Sequence, residues 1–408
     1  MGKTFVGIGF GPIQAGLFLY EAFSSGNFTR FVVAEVMPEV VAALRGGGGK
    51  CRVNIAAENG VKSRVINNIE IFNPSVESER RLLVDALAEA DEIATALPSV
   101  SIYKTGGAKS VAALLAEGIK KRLSEGQEKR AVIYAAENHN HAAEILAENI
   151  APFLGRSVTE AHNHVQCLNT VIGKMSGVVA DEKQISEQNL KRVAGESGRC
   201  FLVEEFNRIL ISKIRWPDFK RGITVFEEKN DLIPFEEAKL YGHNATHALI
   251  GYLARCKKYR FISDVAGDSE LLSLAREAFI NESGGALCRK YRGLDNLFTR
   301  EGYAEFADDL LKRMLNPHLR DMVDRVVRDP RRKLGWDDRL VGTMRLAQRE
   351  EINPEKYALG AKAALEMLAE TDKREAGVLL DDIWNESKAG QDEKDRIKKI
   401  IIQARLCV

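Results

Sequence analysis

Three side chains with different proton chemistry lie close together in the stretch K-L-Y-G-H-N-A-T-H, residues 239–247. In an α-helix that turns by about 100° per residue, Lys239, His247 and Asn244 point at about 0°, 80° and 140°, so they share one side. Hydride transfer from a secondary alcohol needs a base that works near neutrality, donors for the developing oxyanion and a substrate anchor. Burial can lower the pKa of a lysine, asparagine can donate to the oxygen, and histidine can bind a hydroxyl group.

The same spacing also fits a solvated helix face with a capping asparagine. Helical periodicity alone does not separate this interpretation from a catalytic one. Pro234 is a suitable first residue for the helix, because the N–H groups of the first turn have no partner within a helix. We therefore predict a helix over residues 234–259 and leave its chemistry to be decided by other features of the chain.

A glycine-rich motif, G-I-G-F-G-P-I-Q-A-G, spans Gly7 to Gly16, directly after a predicted strand and at the start of a predicted helix. We assign the tight turn to Gly7 and the close backbone approach to a pyrophosphate to Gly9, with the phosphate at the positive helix N-terminus. The spacing departs from the standard G-x-G-x-x-G, and a close-packed turn without a ligand also explains it. The predicted cofactor-binding residues of this turn are Gly7, Gly9, Phe10, Gly11, Pro12 and Ile13.

An acidic residue, Glu35, ends the second predicted strand. A carboxylate in this place of a dinucleotide-binding unit can bind the two ribose hydroxyls of an adenosine. The next residues are Val36, Met37 and Pro38, so the 2′-phosphate of NADP would meet a carboxylate and no cation. The sequence therefore predicts a dinucleotide site that prefers NAD to NADP.

Two other patterns are weaker. R-G-G-G-G-K-C, residues 45–51, lacks the first glycine of a phosphate-binding P-loop, because that place is Leu44, and Cys51 replaces the serine or threonine. We predict a flexible turn there. The H-x-H pairs at 139–141 and 162–164 have no third histidine or cysteine beside them, so we predict solvent-facing or capping histidines and no metal site.

The elements that must position these residues fall into two groups. Up to about residue 200, short apolar runs alternate with amphipathic stretches, which predicts strands joined by helical crossovers and a parallel sheet. The predicted strands are 4–9, 30–36, 92–97 and 131–136, and the predicted helices are 12–24, 39–45, 108–123 and 140–151. We therefore predict an α/β protein with an N-terminal Rossmann-like, doubly wound sheet over residues 1–200, which binds NAD.

Beyond residue 200 the pattern changes to long helical periods. These periods cover 234–259, 268–278, 301–314, 354–370 and the stretch from 393 towards the end. The sequence thus predicts a mainly α-helical C-terminal domain over residues 201–408, which carries the substrate-binding and catalytic residues.

Composition excludes several classes of protein. The 59 Lys and Arg residues against 58 Asp and Glu leave a net charge of +1, which gives no basic excess for nucleic acid or an anionic membrane. No run of about 18 apolar residues is present, and the first residues lack the apolar core of a signal peptide. The six cysteines are scattered, as is typical of free thiols in a reducing compartment. We expect a cytoplasmic protein with no nucleic-acid or membrane partner.

Taken together, the motifs resemble the polyol-specific long-chain dehydrogenases, which are zinc-independent enzymes that interconvert sugar alcohols and ketoses, or hexuronates and ketohexonates. The resemblance covers nearly the whole chain. It rests on the glycine motif at 7–16, K-x-x-x-x-N-x-x-H at 239–247, A-E-V at 34–36, A-T-A at 94–96, A-E-N at 136–138, N-E-S-G-G-A at 281–286, L-N-P-H-L-R-D at 315–321 and R-K-L-G-W-D-D-R-L at 332–340. The last two segments are similar to the branch of the family that acts on mannitol 1-phosphate.

The resemblance implies roles for individual residues. Lys239 matches the general base of the family, and Asn244 and Asn138 match the asparagines that hold the reacting oxygen. His247 matches the histidine that positions the substrate. Ala96 and Asn138 also match the cofactor side of the site. The stretch 167–178 departs from the family, because it carries Gly173-Lys174 where an Asp-Arg pair is usual and Asn169 where an Asp is usual.

Three cations are candidates for the far end of the substrate. Arg332, Lys333 and Arg339 could bind a phosphate by charge-assisted hydrogen bonds. An equally good interpretation is surface pairing of these cations with Asp337 and Asp338.

The predicted function is the NAD-dependent, metal-independent interconversion of a sugar-alcohol phosphate and a ketose phosphate, of the mannitol 1-phosphate and fructose 6-phosphate type, by a monomer or weak dimer. The alternatives are a dehydrogenase of an unphosphorylated polyol or hexuronate, and a catalytically impaired NAD-binding protein that senses a sugar phosphate.

Overall fold

The computed structural model describes residues 2–126, 129–195 and 197–406. Two compact units make up the chain, Met1–Leu232 and Ile233–Val408. Among the described residues, no helix is both long and apolar enough to span a bilayer.

The first unit alternates strands with helices. Its strands are β1 (Lys3–Ile8), β2 (Phe28–Ala34), β3 (Cys51–Ala57), β4 (Gly60–Ile66), β5 (Ile69–Phe72), β6 (Glu92–Thr95), β7 (Ala131–Ala135), β8 (Val165–Val171), β9 (Ser176–Val179), β10 (Cys200–Glu204), β11 (Leu210–Ser212) and β12 (Glu227–Lys229). Its α-helices are α1 (Tyr20–Ser24), α2 (Pro38–Gly46), α3 (Glu77–Glu89), α4 (Val111–Ser124), α5 (Ala142–Leu154), α6 (Val158–His164) and α7 (Glu182–Glu187). A π-helix spans Gln14–Leu19, and 3₁₀ turns span Val100–Lys104, Gly107–Lys109 and Gly155–Ser157.

The larger sheet has the strand order β12-β11-β8-β7-β6-β1-β2-β5. The pairs from β5 through β2, β1, β6 and β7 to β8 are parallel, and β11 joins β8 antiparallel. Chain order runs outward in opposite directions from the β1–β6 pair, so this pair is the topological switch point, outside which doubly wound sheets bind ligands. The predicted doubly wound α/β fold is confirmed.

Both faces of this sheet are covered by apolar side chains. Val6 and Ile8 of β1 pack with leucines of α3, α4 and α5, whereas Phe5 packs with Leu17 and Phe18 of the π-helix on the other face. Val53 of β3 belongs to that second cluster as well. Burial on both faces explains why the parallel strands read as continuous apolar runs in the sequence.

A smaller sheet, with the order β4-β3-β10-β9, lies in the same unit. Strand β10 pairs in parallel with β3, and β11 pairs with β8. The predicted domain boundary at residue 200 is therefore too early, because the three strands that follow it complete sheets of the first unit and the chain divides at Leu232. Short strands with little alternation, such as E-E-K in β12, gave no signal of their own.

The second unit is helical. Its α-helices are α8 (Ile233–Glu237), α9 (Ala245–Cys256), α10 (Ser269–Glu277), α11 (Gly285–Lys290), α12 (Arg300–Met314), α13 (Val323–Val326), α14 (Pro330–Lys333), α15 (Arg339–Arg349), α16 (Glu355–Asp372), α17 (Ala376–Ile383) and α18 (Gln391–Gln403). Two π-helices span Ala238–Asn244 and Ala278–Gly284, and 3₁₀ turns span Ile262–Gly267, Asn296–Phe298 and Pro317–Leu319. The predicted helical periods agree with α9, α10, α12, α16 and α18.

The turn after β1 differs from the predicted one. Gly7 lies inside β1, and Gly9 adopts the left-handed conformation of the turn, with φ of 85°. A Cβ at Gly7 would overlap the side-chain amide of Gln14, which is completely buried and whose nitrogen and oxygen have no hydrogen-bond partner in the described structure. Gly7 thus makes room for Gln14 instead of forming the turn, and Gln14 occupies the place of the third glycine of G-x-G-x-x-G counted from Gly9.

This packing predicts strong coupling between Gly7 and Gln14. Gly7→Ala should lower the free energy of unfolding by about 1–3 kcal/mol, because the new methyl group has to displace a fully buried side chain. The loss should shrink when Gln14→Ala is also present, since the obstacle is gone. A double-mutant cycle of urea unfolding measures this. Equal costs of Gly7→Ala in both backgrounds would show that the two residues do not meet as described.

Candidate active site

The carboxyl ends of neighbouring strands bring several predicted cofactor residues of the first unit together. Gly9 follows β1, and its N–H donates to the carbonyl of Ala34 at 2.9 Å. A Cβ at Gly9 would lie only 2.9 Å from the carbonyl oxygen of Ala96, which follows β6. Gly9 and Ala96 are therefore adjacent at the switch point, and the contact between them requires a glycine there.

The loop that follows Gly9 is held by Glu35. Its carboxylate accepts hydrogen bonds from the N–H of Phe10 at 3.0 Å and from the N–H of Met37 at 2.9 Å. Glu35 is buried at the end of β2, beside the glycine-rich loop, where the sequence placed it. A Cβ at Gly11 would meet nothing within 4 Å, so the loop leaves open space just before Pro12 and Ile13 begin the helix.

A buried carboxylate that the sequence did not single out supports the neighbouring loops. Glu137 follows β7 and accepts hydrogen bonds from the N–H of Leu97 at 2.9 Å and from the hydroxyl of Thr95 at 2.9 Å. The hydroxyl of Tyr103 also donates to it. Burial raises the pKa of Glu137 above its ordinary value despite these donors. Glu137 thus ties the end of β6 to the segment that carries Asn138, which is exposed.

Other residues that depart from the family have structural contacts. The side-chain oxygen of Asn169 accepts from the N–H of Ala143 at 2.8 Å, and its amide donates to Glu144, so it caps the start of α5. The ammonium of Lys174 donates to the carbonyl of Phe206 at 2.6 Å.

No cluster of three or more His, Cys, Asp or Glu residues that could hold a metal ion occurs within residues 2–126, 129–195 and 197–406. His141 is the N-cap residue of α5, and its N–H donates a hydrogen bond to Nδ1 of His139 at 3.1 Å. Metal independence remains a prediction.

In the second unit, the predicted helix of 234–259 is interrupted by the π-helix Ala238–Asn244. Its i→i+5 hydrogen bonds widen the turn, so residues five apart, such as Lys239 and Asn244, are separated by a smaller angle than in an α-helix. A continuous α-helix would have separated these two side chains by about 140°. The π segment was not predicted, because hydrophobic periodicity over so few residues does not distinguish i+4 from i+5 bonding.

Lys239 is the base candidate, and its environment favours the neutral amine. Burial lowers the pKa of Lys239, the positive charge of Arg339 lowers it further, and Glu236 acts in the opposite direction, with a resulting pKa of about 8. The buried His243 lies on the same π-helix, and burial keeps its pKa well below the ordinary value. At physiological pH a fraction of the Lys239 amine is therefore deprotonated, and His243 is uncharged.

His247 is in contact with an acid that the sequence did not single out. Its Nε2 lies 2.9 Å from Oδ2 of Asp321, and the other oxygen of Asp321 accepts from Nε of Arg325 at 2.8 Å. Asp321 stands in the L-N-P-H-L-R-D segment, which carried the family resemblance but offered no spacing that linked it to His247.

A cavity of about 440 Å³ in the second unit is lined by Asn244 and His247 together with all three predicted substrate residues. Lys239 is not part of this lining. Five further lining residues were not predicted from the sequence: Ala248, Arg325, Val326, Arg328 and Asp329. The lining therefore combines several cations with an amide and an imidazole.

The cations of the cavity have protein partners of their own. Arg332 bonds Asp329 at 2.9 Å and Asp338 at 3.1 Å, and Arg339 bonds Asp338 at 2.8 Å. The ammonium of Lys333 donates to the carbonyl of Arg328. Burial lowers the pKa of Lys333 to about 8, and the charges of neighbouring arginines add to this.

The structure partly supports both interpretations of these cations, phosphate binding and pairing with acidic residues. They line a cavity, and two of them pair with Asp338, whereas Asp337 pairs with Arg345 instead. Arg328 also lines the cavity, and within the described residues no carboxylate pairs with it.

Comparison with known proteins supports the family resemblance. Residues 231–406 match the model of the mannitol dehydrogenase C-terminal domain, and the match begins next to the boundary between the two units. Over 370 residues, 90% of this chain and 89% of the relative, the chain is 29% identical to the mannitol-1-phosphate 5-dehydrogenase of Shouchella clausii (strain KSM-K16). It is 28% identical over 362 residues to the mannitol-1-phosphate 5-dehydrogenase of Lactococcus lactis subsp. lactis (strain IL1403), covering 87% of this chain and 84% of that one.

Solved structures show the same fold at low sequence identity. A substrate-free D-sorbitol dehydrogenase matches with a TM-score of 0.76 at 14% identity, covering 98% of this chain and 92% of that one. The mannitol 2-dehydrogenase of Pseudomonas fluorescens, solved as a ternary complex with NAD and D-mannitol, matches with a TM-score of 0.70 at 14% identity over 98% and 90% of the two chains.

The resemblance to the polyol-specific long-chain dehydrogenases is confirmed, because the second unit matches the mannitol dehydrogenase C-terminal domain and the chain is similar to two mannitol-1-phosphate 5-dehydrogenases over most of its length. These similarities support an oxidoreductase that acts on CH–OH groups.

Proposed function

We propose that this chain interconverts a sugar-alcohol phosphate and a ketose phosphate with NAD and without a metal ion. The observation that carries the proposal is the cavity in which Asn244 and His247 face a cluster of cations, on the helix that also holds Lys239 with its lowered pKa. The proposed substrate pair is of the mannitol 1-phosphate and fructose 6-phosphate type, the pair suggested by the names of the two curated relatives.

The first unit is suited to NAD. The glycine cradle of Gly9 against Ala96, the open space at Gly11 and the helix that begins at Pro12 fit a pyrophosphate at a helix N-terminus. The carboxylate of Glu35, which holds the glycine-rich loop, is proposed to bind the ribose hydroxyls. When bound, NAD supplies the hydride acceptor of the reaction. The resemblance adds Asn138 to this side of the site.

In the proposed mechanism, neutral Lys239 takes the proton of the substrate hydroxyl as the carbon is oxidised, and it returns the proton in the reduction. An amine with a pKa of about 8 is partly deprotonated near neutrality, which an ordinary lysine is not. Asn244 donates to the developing oxyanion as a neutral group, and Asn138 is proposed to do the same. His247 binds a further hydroxyl and so orients the sugar.

The cations that line the cavity are proposed to bind the phosphate of the substrate. Arginine binds phosphate through paired, charge-assisted hydrogen bonds, and Arg328 is available for this without giving up a carboxylate. Burial lowers the pKa of Lys333, and a bound phosphate would favour the charged form of this lysine.

One observation favours an unphosphorylated polyol as the second candidate. Asp329 and Asp338 already engage Arg332 and Arg339, so part of the positive charge of the cavity is neutralised before any substrate arrives. Hydroxyl groups of a free sugar could bind such ion pairs without breaking them. The cytoplasmic location and the monomeric or weakly dimeric state remain predictions.

A direct test is the absorbance of NADH at 340 nm with a panel of ketose phosphates, free ketoses and hexuronates. The proposal expects turnover with a ketose phosphate above that with the free sugar, and no loss of rate after dialysis against EDTA. Binding of NADH without turnover of any panel member would indicate a sensor, and loss of activity on chelation with rescue by zinc would contradict the metal-independent mechanism.

The preference for NAD should depend on Glu35. Its carboxylate would repel the 2′-phosphate of NADP, so Glu35→Gln should narrow the ratio of kcat/KM for NAD over NADP, mainly through KM for NADP. Because Glu35 also holds the N–H groups of Phe10 and Met37, glutamine is a better substitute than alanine. Glu39→Gln on the neighbouring helix α2 is the matched control. Equal use of NAD and NADP by the unmodified protein would refute the assignment.

The phosphate assignment can be tested with arginine variants. Arg328→Ala, Arg332→Ala and Arg339→Ala should each lower kcat/KM for fructose 6-phosphate about ten- to a hundredfold and hardly change the slow reduction of fructose, which lacks the phosphate. Arg331→Ala is the matched control, because Arg331 pairs with Asp382 and does not line the cavity. Equal losses for both sugars would make the arginines structural, and an outright preference for fructose would favour the unphosphorylated substrate.

A further inference from the structure

The surroundings of His247 determine which ring nitrogen faces the cavity. Its Nε2 and the Oδ2 atom of Asp321 are both buried and 2.9 Å apart, although the N–H direction is bent away from the oxygen. Neither atom has another partner in the described structure. The ring also lines the cavity, and Nδ1 lies on the other side of the imidazole ring from Nε2. Nε2 is therefore the ring nitrogen next to Asp321, and Nδ1 is the ring nitrogen left for a ligand of the cavity.

Asp321 is placed to act as an acceptor. Burial raises its pKa, but the contacts of His247 and Arg325 outweigh burial and hold the pKa below the ordinary value. Arg325 donates to Oδ1 through Nε at 2.8 Å and approaches the same oxygen through Nη2 at 2.6 Å, which leaves Oδ2 to His247. The backbone is fixed as well, because the carbonyl of Asp321 accepts from the N–H of Ile262 at 2.9 Å.

An ionised carboxylate can only accept, so the nitrogen that faces it has to carry a proton. With its proton on Nε2, a neutral imidazole presents Nδ1 as a bare acceptor. The neighbouring His243, whose ring centre lies 6.3 Å away, is buried and uncharged, so it adds no charge to the surroundings of His247. Asn244, in the same cavity, can donate. The pair then offers one acceptor and one donor to adjacent oxygens of a polyol.

We propose that Asp321 is a positioning residue that fixes His247 in the Nε2-protonated tautomer, so that Nδ1 accepts a hydrogen bond from a substrate hydroxyl. This inference rests on the proposed function for the identity of the ligand, a polyol chain with a free hydroxyl beside the reacting carbon. The tautomer itself is a property of the ligand-free protein.

The tautomer can be read from ¹⁵N NMR of the full chain labelled at histidine, well above the ordinary histidine pKa of about 6.5. The His247 resonances are assigned by their loss in His247→Gln. The inference expects a protonated Nε2 and a bare Nδ1 in the unmodified protein, and a shift towards the other tautomer in Asp321→Asn. Asp324→Asn, an exposed acid on α13, is the matched control and should change nothing. A bare Nε2, a doubly protonated ring, or an unchanged tautomer in Asp321→Asn would overturn the inference.

Kinetics give an independent measurement. Asp321→Asn should lower kcat/KM for the full substrate about ten- to a hundredfold, because the substrate loses one hydrogen bond to a correctly oriented acceptor. In a panel of monodeoxy substrates, the analogue that lacks the hydroxyl bound by Nδ1 should react at the same low rate in the unmodified protein and in Asp321→Asn. Equal losses for every analogue would contradict the inference.

These outcomes separate the two proposals. If the unmodified protein turns over no polyol or ketose, the proposed function fails, and the NMR measurement still decides the tautomer. If turnover is normal and Asp321→Asn keeps it, the proposed function stands and the role of Asp321 is refuted. If Asp321→Asn does not fold, the spectrum of the unmodified protein alone confirms or refutes the tautomer.

Discussion

The burial of the Lys239 amine is the constraint on which the candidate site depends. A lysine in water is almost fully protonated at neutral pH and cannot take a proton from an alcohol. Removal from water, with the positive charge of Arg339 nearby, lowers the pKa of Lys239 to about 8. In the proposed mechanism, the helical unit does for the proton what a bound metal does in other alcohol dehydrogenases, and it does so at the expense of burying a group that prefers to be charged.

Each unit has a local irregularity among its candidate residues. The π-helix makes the angle between Lys239 and Asn244 smaller than it would be in a regular α-helix. At the end of β1, Gly9 fits against the Ala96 carbonyl only because it lacks a side chain. In each case the regular element supplies rigidity, and one departure from regularity brings a polar group or a backbone edge to the point where a ligand could use it.

The periodic parts of the fold could be predicted from the sequence, and the irregular ones could not. Long apolar periods gave helices such as α12 and α16, and continuous apolar runs gave β1 and β7. Strands β3 to β5 and β8 to β12 were not predicted. Among them, β10 pairs with β3 and β11 pairs with β8, and no local pattern reports such contacts between residues far apart in the chain. The role of Gly7 was misassigned, because only the packing of Gln14 shows what its missing side chain makes room for. Residue types and family resemblance gave His247, but its contact with Asp321 joins residues far apart in the chain, and no spacing reports it.

The central claim is that neutral Lys239 is the base, and the pH dependence of kcat/KM for oxidation of the sugar-alcohol phosphate tests it most directly. Because only the deprotonated amine accepts a proton, the rate should rise with pH through a midpoint near the Lys239 pKa of about 8, and the reverse reduction should fall over the same range. In Lys239→Ala this titration should vanish and the rate should drop by about 10²–10⁴-fold. A flat profile in the unmodified protein, or the same rise with pH in Lys239→Ala, would contradict the account.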